Sequence, residues 1–344
     1  MKKDIKSMEL SELEENFKEI GLERYRAKQV FSWLHKGVRS FDEMTNISLD
    51  LRKSLDEAFF ITSPVIIKKQ MSKVDGTVKY LWRLHDGEAI ESVLMEYSHG
   101  NSICISTQVG CKMGCLFCAS AIGGFRRNLS ASEMLDQILF TMEDSGKKVS
   151  NIVLMGIGEP LDNFENVMTF IEIVRHSAGI NIGSRHLTIS TCGSTRDIIE
   201  NIDKMAEYGV QLTLAISLHA PDDNTRMYLI PSCKGTSVND LIEACSRYFS
   251  KTGRRVTYEY ALIDNVNDSQ DAARKLSKLL RNTASHLNLI PLSKFHESSF
   301  EPSSAYSIDK FTEILKENKI NYTLRRSLGA DINASCGELR WQTL

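Results

Sequence analysis

From residue 103 onward the chain alternates short β-branched runs with helical patterns, and few folds accept that order. The runs are "ICIST" (103–107), "NIVLMG" (151–156), "HLTIST" (186–191), "QLTLAISLHA" (211–220), "VTYEYALI" (256–263) and "HLNLIPL" (286–292). Between them lie amphipathic stretches such as "SASEMLDQILFTMED", "NVMTFIEIVRH", "TRDIIENIDKMAEY" and "SVNDLIEACSRYFS". Six strands joined by crossover helices predict a parallel α/β sheet, either open and doubly wound or closed, wholly or in part, into a barrel. Periodicity does not choose between these. The small and polar residues do, because "CKMGCLFC", "GIGEP", "TCG", "SLHA" and "PLSK" all fall at or just past strand ends. In βα barrels those ends build the active-site mouth, so a partial (β/α)6 barrel is the expected core.

Residues 1–90 have a different rhythm and are read as a small, mainly helical accessory domain. Ser11 and Glu14 form a candidate capping box ahead of Leu13, Phe17 and Ile20, which share one helical face. Further helices are expected over "RYRAKQVFSWLHKG" and "SLDLRKSLDEAF", then β segments turned at Asp75-Gly76 and Asp86-Gly87. The barrel core is assigned to residues 91–331 and a C-terminal tail to 332–344. Composition is that of an ordinary soluble chain, with 42% hydrophobic residues and a formal net charge of −2. That balance excludes a uniformly basic coat, though not a local nucleic-acid patch. The opening "MKKDIKSMELSELEEN" lacks the apolar stretch of a signal peptide, and no run of about 18 apolar residues suggests a membrane span. A cytoplasmic protein is therefore expected.

Eight cysteines in such a chain point to metal or redox chemistry rather than a disulfide framework. Three of them, Cys111, Cys115 and Cys118, share one C-x-x-x-C-x-x-C loop kept open by Gly110 and Gly114. Three readings compete. They could be small buried hydrophobes. They could form a structural zinc site, which wants a fourth ligand such as His99 or a distant cysteine. Or they could hold a 4Fe–4S cluster with one iron left open to a chelating small molecule.

The loop resembles that of radical S-adenosylmethionine (SAM) enzymes, in which SAM's amino and carboxylate groups complete the open iron. "GFRRNLSASEMLDQIL", "VLMGIGEPLDNFENV", "LTLAISLHAPDDNTR", "RRVTYEYALIDNVND" and "GADINASCGEL" narrow the match, as does "RAKQVFSWLHKGVRSFDEMTNIS" near the start. Together they are similar, nearly end to end, to the RlmN/Cfr family of radical SAM RNA adenine methyltransferases, with wording nearer the RlmN branch. The resemblance implies two SAM molecules per turnover and methylation of C2 of an adenine in 23S rRNA and in tRNA. It also implies an electron donor such as flavodoxin, no membrane partner and a monomeric chain.

By the same resemblance, Cys336 carries the methyl group as S-methylcysteine and Cys104 resolves the protein–RNA adduct through a transient disulfide. Strand alternation agrees for Cys104: if Ile103 and Ile105 pack against helices, Cys104 points into the barrel. Glu91 corresponds to the family's proton acceptor. Gly158 and Glu159 match the residues that receive SAM's amino group. Ser190, Ser217, Leu218, His219 and Ser293 match its other contacts, although family members usually have Asn where this chain has Ser293. The tail reads "NASCGEL" rather than "DAACGQL", and "IPSCKG" replaces "MPINKKY". Candidate phosphate contacts are Lys68 and Lys69, Arg126 and Arg127, Arg254 and Arg255, and Arg325 and Arg326. Two alternatives stay open: a Cfr-like C8 methyltransferase, and a non-catalytic zinc-dependent RNA-binding protein.

Overall fold

The structure is a computed structural model that describes residues 2–293 and 297–339. Ten strands form its main sheet: β1 (Val65–Met71), β2 (Val78–Arg83), β3 (Ala89–Tyr97), β4 (Gly100–Cys104), β5 (Val149–Leu154), β6 (Leu187–Thr191), β7 (Thr213–Ser217), β8 (Val256–Leu262), β9 (Ser285–Pro291) and β10 (Tyr322–Leu324). Their spatial order is their chain order, running from β10 at one edge to β1 at the other. From β4 to β10 every neighbouring pair is parallel. Helices return the chain between them: α4 (Ala131–Ser145), α5 (Phe164–Arg175), α6 (Arg196–Glu207), α7 (Asp223–Leu229) with α8 (Val238–Thr252), α9 (Gln270–Leu280) and α10 (Ala305–Glu317). This is the expected partial barrel, with all six expected strands and β10 as a further short one.

Strands β1 to β3 pair antiparallel with one another and with β4, and so extend the barrel sheet. Residues 65–90, grouped with the accessory region on sequence, thus share a sheet with the core. Ahead of them stand three helices, α1 (Leu10–Glu19), α2 (Arg24–Leu34) and α3 (Leu49–Ala58). The expected Ser11–Glu14 capping box is absent. Glu9 holds the extended N-cap position, which leaves Ser11 inside the first helical turn. Leu13 and Phe17 are buried, but Ile20 is the C-cap and faces solvent.

The helical region is fastened to the barrel by a buried ion pair. Lys6 donates to Asp136 of α4, and its Nζ also reaches the Thr62 carbonyl at 2.5 Å. Both side chains are fully shielded from solvent. Such a pair is held by its hydrogen bonds, since charges so placed must be satisfied.

On β4, Ile103 and Ile105 pack into the main core between sheet and helices. Cys104 turns the other way and joins Val93, Ile157, Ile332, Ala334 and Leu339 in a small cluster inside the barrel. The inward register expected for this cysteine is the one observed.

Candidate active site

The loop after β4 owes its shape to backbone crowding. A Cβ on Gly110 would lie 1.9 Å from the Gly124 carbonyl oxygen, so only glycine lets the loop fold back on itself there. The loop then carries Cys111, Cys115 and Cys118 to the wall of a cavity at the C-terminal strand ends. Burial pushes all three thiols up, Cys111 to about 12, so they ionise only against a cation. Among the described residues no three Cys, His, Asp or Glu side chains converge on a single ion. Three thiols on one cavity wall fit a cluster, whose irons each take a separate thiolate. His99 stacks on Tyr97 instead.

The opposite wall comes from the next strand ends. Gly158 has φ +109°, and a Cβ there would lie 2.6 Å from the Gln108 side chain. Gln108 in turn accepts from the Glu159 amide at 2.9 Å. The Glu159 carboxylate, 3% exposed, accepts from the amides of Leu161 (3.1 Å) and Cys192 (2.8 Å). Burial raises its pKa despite those bonds. Ser190, Ser217, His219 and Ser293 line the same cavity. The His219 Nδ1 accepts from the Ala261 amide at 2.9 Å, which leaves Nε2 as the N–H donor. Burial, helped by the Arg226 charge, lowers its pKa to about 3, so the ring is neutral at physiological pH. Leu218 does not line the cavity. Alternation with Ser217 and His219 sends its side chain into the core, and its amide donates to the Glu259 carbonyl at 3.1 Å.

Cys336 stands where this cavity meets a second one, which Cys104 lines together with Val93, Tyr97 and Met155. The tail that carries it is pinned rather than frayed. The Gly329 amide donates to Asp75 at 2.8 Å, the Lys79 Nζ to the Asn333 carbonyl at 2.9 Å, and the Ser120 hydroxyl to the Leu339 carbonyl at 2.7 Å. Glu338, where the family wording has Gln, accepts from the Ser335 backbone amide at 2.7 Å, and the Ser335 hydroxyl donates to the Leu328 carbonyl at 3.1 Å. Residues 340–344 of the assigned tail lie outside the described residues.

Glu91 lies on β3, two residues before Val93 and therefore on the same face of the strand. Its carboxylate is 3.4 Å from the Lys79 Nζ, and both side chains are buried. It is not among the residues lining either cavity.

Several cavity residues escaped the sequence reading. Arg325, a candidate phosphate contact on sequence, is half-buried and lines both cavities. Its guanidinium is 3.5 Å from Glu259, whose other oxygen accepts from Asn288 at 2.9 Å. A charged residue at the centre of "VTYEYALI" was the available signal for Glu259. The other candidate phosphate contacts divide. Arg127 is held by Asp86 and Glu133, Lys69 by Asp144, and Arg254 by Thr213. Lys68 and Arg255 face solvent, and Arg326, though exposed, lines the Cys104 cavity.

Comparison with known proteins agrees with this arrangement. The sequence model of the Radical SAM superfamily matches residues 105–276. That of the Ribosomal RNA large subunit methyltransferase N-terminal domain matches residues 3–61. The chain is 49% identical over 338 residues to the probable dual-specificity RNA methyltransferase RlmN of Lachnoclostridium phytofermentans, covering 98% of this chain and 94% of that one. With the protein of the same description from Clostridium tetani it shares 50% identity over 316 residues, 92% of this chain and 89% of the other. The crystal structure of a radical SAM methyltransferase from Sphaerobacter thermophilus matches with a TM-score of 0.92 at 40% identity, covering 98% of this chain and 99% of that chain.

Proposed function

Because the chain belongs to the RlmN family of radical SAM RNA methyltransferases, with a 4Fe–4S cluster and SAM as cofactors, we propose that it methylates C2 of an adenine in 23S rRNA and in tRNA. It does so through a methyl group carried on Cys336, with two SAM molecules spent per turnover. The non-catalytic zinc-binding alternative is set aside by that membership. One observation supports the carrier role above all: Cys336 stands at the junction of the cavity of the three loop cysteines and the cavity of Cys104.

Cys111, Cys115 and Cys118 would hold the cluster, which when bound would supply the electron for reductive cleavage of SAM to a 5′-deoxyadenosyl radical. Glu159 and the loop at Gly158 receive SAM's ammonium, which restores the charge that burial disfavours on the carboxylate. His219 offers Nε2–H to an acceptor on SAM without bringing a second positive charge. Ser190 and Ser217 present hydroxyls, and Ser293 contributes one where the family's usual Asn has an amide.

Cys336 first takes a methyl group from SAM by displacement. Loss of a hydrogen atom to the 5′-deoxyadenosyl radical would leave a methylene radical on Cys336 that bonds to C2, and the unpaired electron of that adduct would pass back to the cluster as the C2 proton leaves. Glu91 removes the C2 proton, a role supported by its place one strand step behind Val93. The Cys104 thiolate then attacks the Cys336 sulfur. The S–S bond forms, the S–C bond breaks, and the electron pair passes to the methylene carbon, which gains a proton to become methyl.

Tandem mass spectrometry of the Cys336 peptide, from protein co-expressed with iron–sulfur assembly factors, tests the carrier. A methyl on Cys336 that disappears in Cys118→Ala is expected. An unmodified Cys336 in fully loaded protein would overturn the mechanism. Nucleoside analysis of treated RNA should give 2-methyladenosine, and 8-methyladenosine would place the enzyme with the C8 branch.

A further inference from the structure

Behind the cavity floor lies an arginine whose only part so far is to help keep His219 neutral. Arg226 projects from α7 and is 1% exposed. Its Nη1 donates to the Cys233 sulfur at 2.8 Å, and its Nη2 to the Cys192 carbonyl. The Nε is buried without a hydrogen-bond partner. Among the described residues, no carboxylate lies within ion-pair distance of this guanidinium. A guanidinium cannot shed its proton, so a fully buried one needs an anion nearby.

The surroundings show where that anion belongs. Cys192, whose carbonyl holds Arg226, lines the cavity together with the three loop cysteines. Helix α7 ends against the cysteine loop itself, since the Leu116 amide donates to the Leu229 carbonyl at 3.0 Å. Met113, between the first two cysteines, accepts from Ser194 at 3.0 Å and from Ser232 at 3.6 Å. Those serines are close neighbours in sequence of the two residues that hold the guanidinium. A 4Fe–4S cluster on three thiolates carries net negative charge, and more once reduced.

We propose that Arg226 is the buried counter-charge of the cluster, favouring its reduced form and so raising its reduction potential. The inference rests on the assignment of the cluster to Cys111, Cys115 and Cys118. Arg226 is a positioning residue that acts through charge and touches neither SAM nor RNA.

The test compares Arg226→Met with Arg226→Lys, prepared anaerobically and assayed for iron and sulfide before a redox titration followed by electron paramagnetic resonance. In the Met variant the ratio of reduced to oxidised cluster at a fixed potential should fall at least tenfold, a shift of about 59 mV for a one-electron couple. The Lys variant should stay close to wild type. A fully loaded Met variant that titrates with wild type overturns the proposal. If the Met variant takes up no cluster, the Lys variant decides: loading with a near-wild-type potential supports a charge role, and failure of both assigns Arg226 to shape alone and overturns it. Wild-type protein without iron and sulfide would sink the cluster assignment itself, an outcome distinct from the others.

Discussion

The backbone amide of Ala119, one residue past Cys118, donates to the carbonyl of Gly337, one residue past Cys336, at 2.7 Å. A single hydrogen bond thus ties the loop expected to hold the cluster to the tail expected to carry the methyl group. On the other side the tail is fastened to the β1–β2 hairpin through Asp75 and Lys79.

That clamp depends on Gly337, whose φ is +85°. Gly337→Ala forces a Cβ into the left-handed region, at a cost of about 1 kcal/mol, and within 3.4 Å of the Phe117 carbonyl. Iron and sulfide content should match wild type while the methylated fraction of Cys336 falls. Unchanged methylation would show that the tail docks without this bond.

Lys79 joins the tail to the proposed base, reaching the Asn333 carbonyl at 2.9 Å and Glu91 at 3.4 Å. Lys79→Met removes a buried partner of a carboxylate, which costs about 3 kcal/mol. We expect a lower Tm and at least a tenfold loss of RNA methylation, with cluster content retained. Lys79→Arg keeps the charge and should recover part of the activity. Equal RNA methylation in the Met variant would remove Lys79 from the site.

Cys104→Ser leaves the carrier intact but removes the thiolate that resolves the adduct. Cys336 should still be methylated, and RNA should stay covalently attached, visible as a band that resists denaturing electrophoresis. Released, methylated RNA at the wild-type rate would assign resolution to another group.

Two buried histidines make stability depend on pH. Burial lowers the pKa of His35 to about 4, with His176 and Lys6 adding to the effect, and that of His219 to about 3. An unfolded histidine titrates near 6.5, so below that pH the unfolded chain binds protons that the native one refuses. Stability is therefore complete above about pH 6.5 and declines toward pH 4. Each histidine contributes a slope of up to about 1.4 kcal/mol per pH unit. Urea titrations of His35→Gln between pH 7 and pH 4.5 should show a shallower decline than wild type, and parallel curves would contradict this origin.

The barrel and the cysteine loop were legible along the chain because each is a local signal. Period-two and helical repeats declare themselves within about ten residues, and three cysteines in eight positions need no tertiary context. The inward face of Cys104 followed from its isoleucine neighbours, and the core bears that out. The α1 cap was misplaced because Glu9, without a capping side chain, took the position that Ser11 would have filled.

The sequence by itself determined the six alternating strands of the barrel, their order, and which loop bears the clustered thiols. Only the tertiary structure decided which charges enter the site. Arg325 and Arg326 are adjacent in sequence just past β10, yet the first lines the cavity of the loop cysteines while the second is exposed at the rim of the Cys104 cavity. Arg226, Glu259 and Lys79 each read as an ordinary charged residue until distant strands and helices close around them. A side chain's charge is local information, but its desolvation and its partners depend on contacts far away along the chain, and those set what the charge can do.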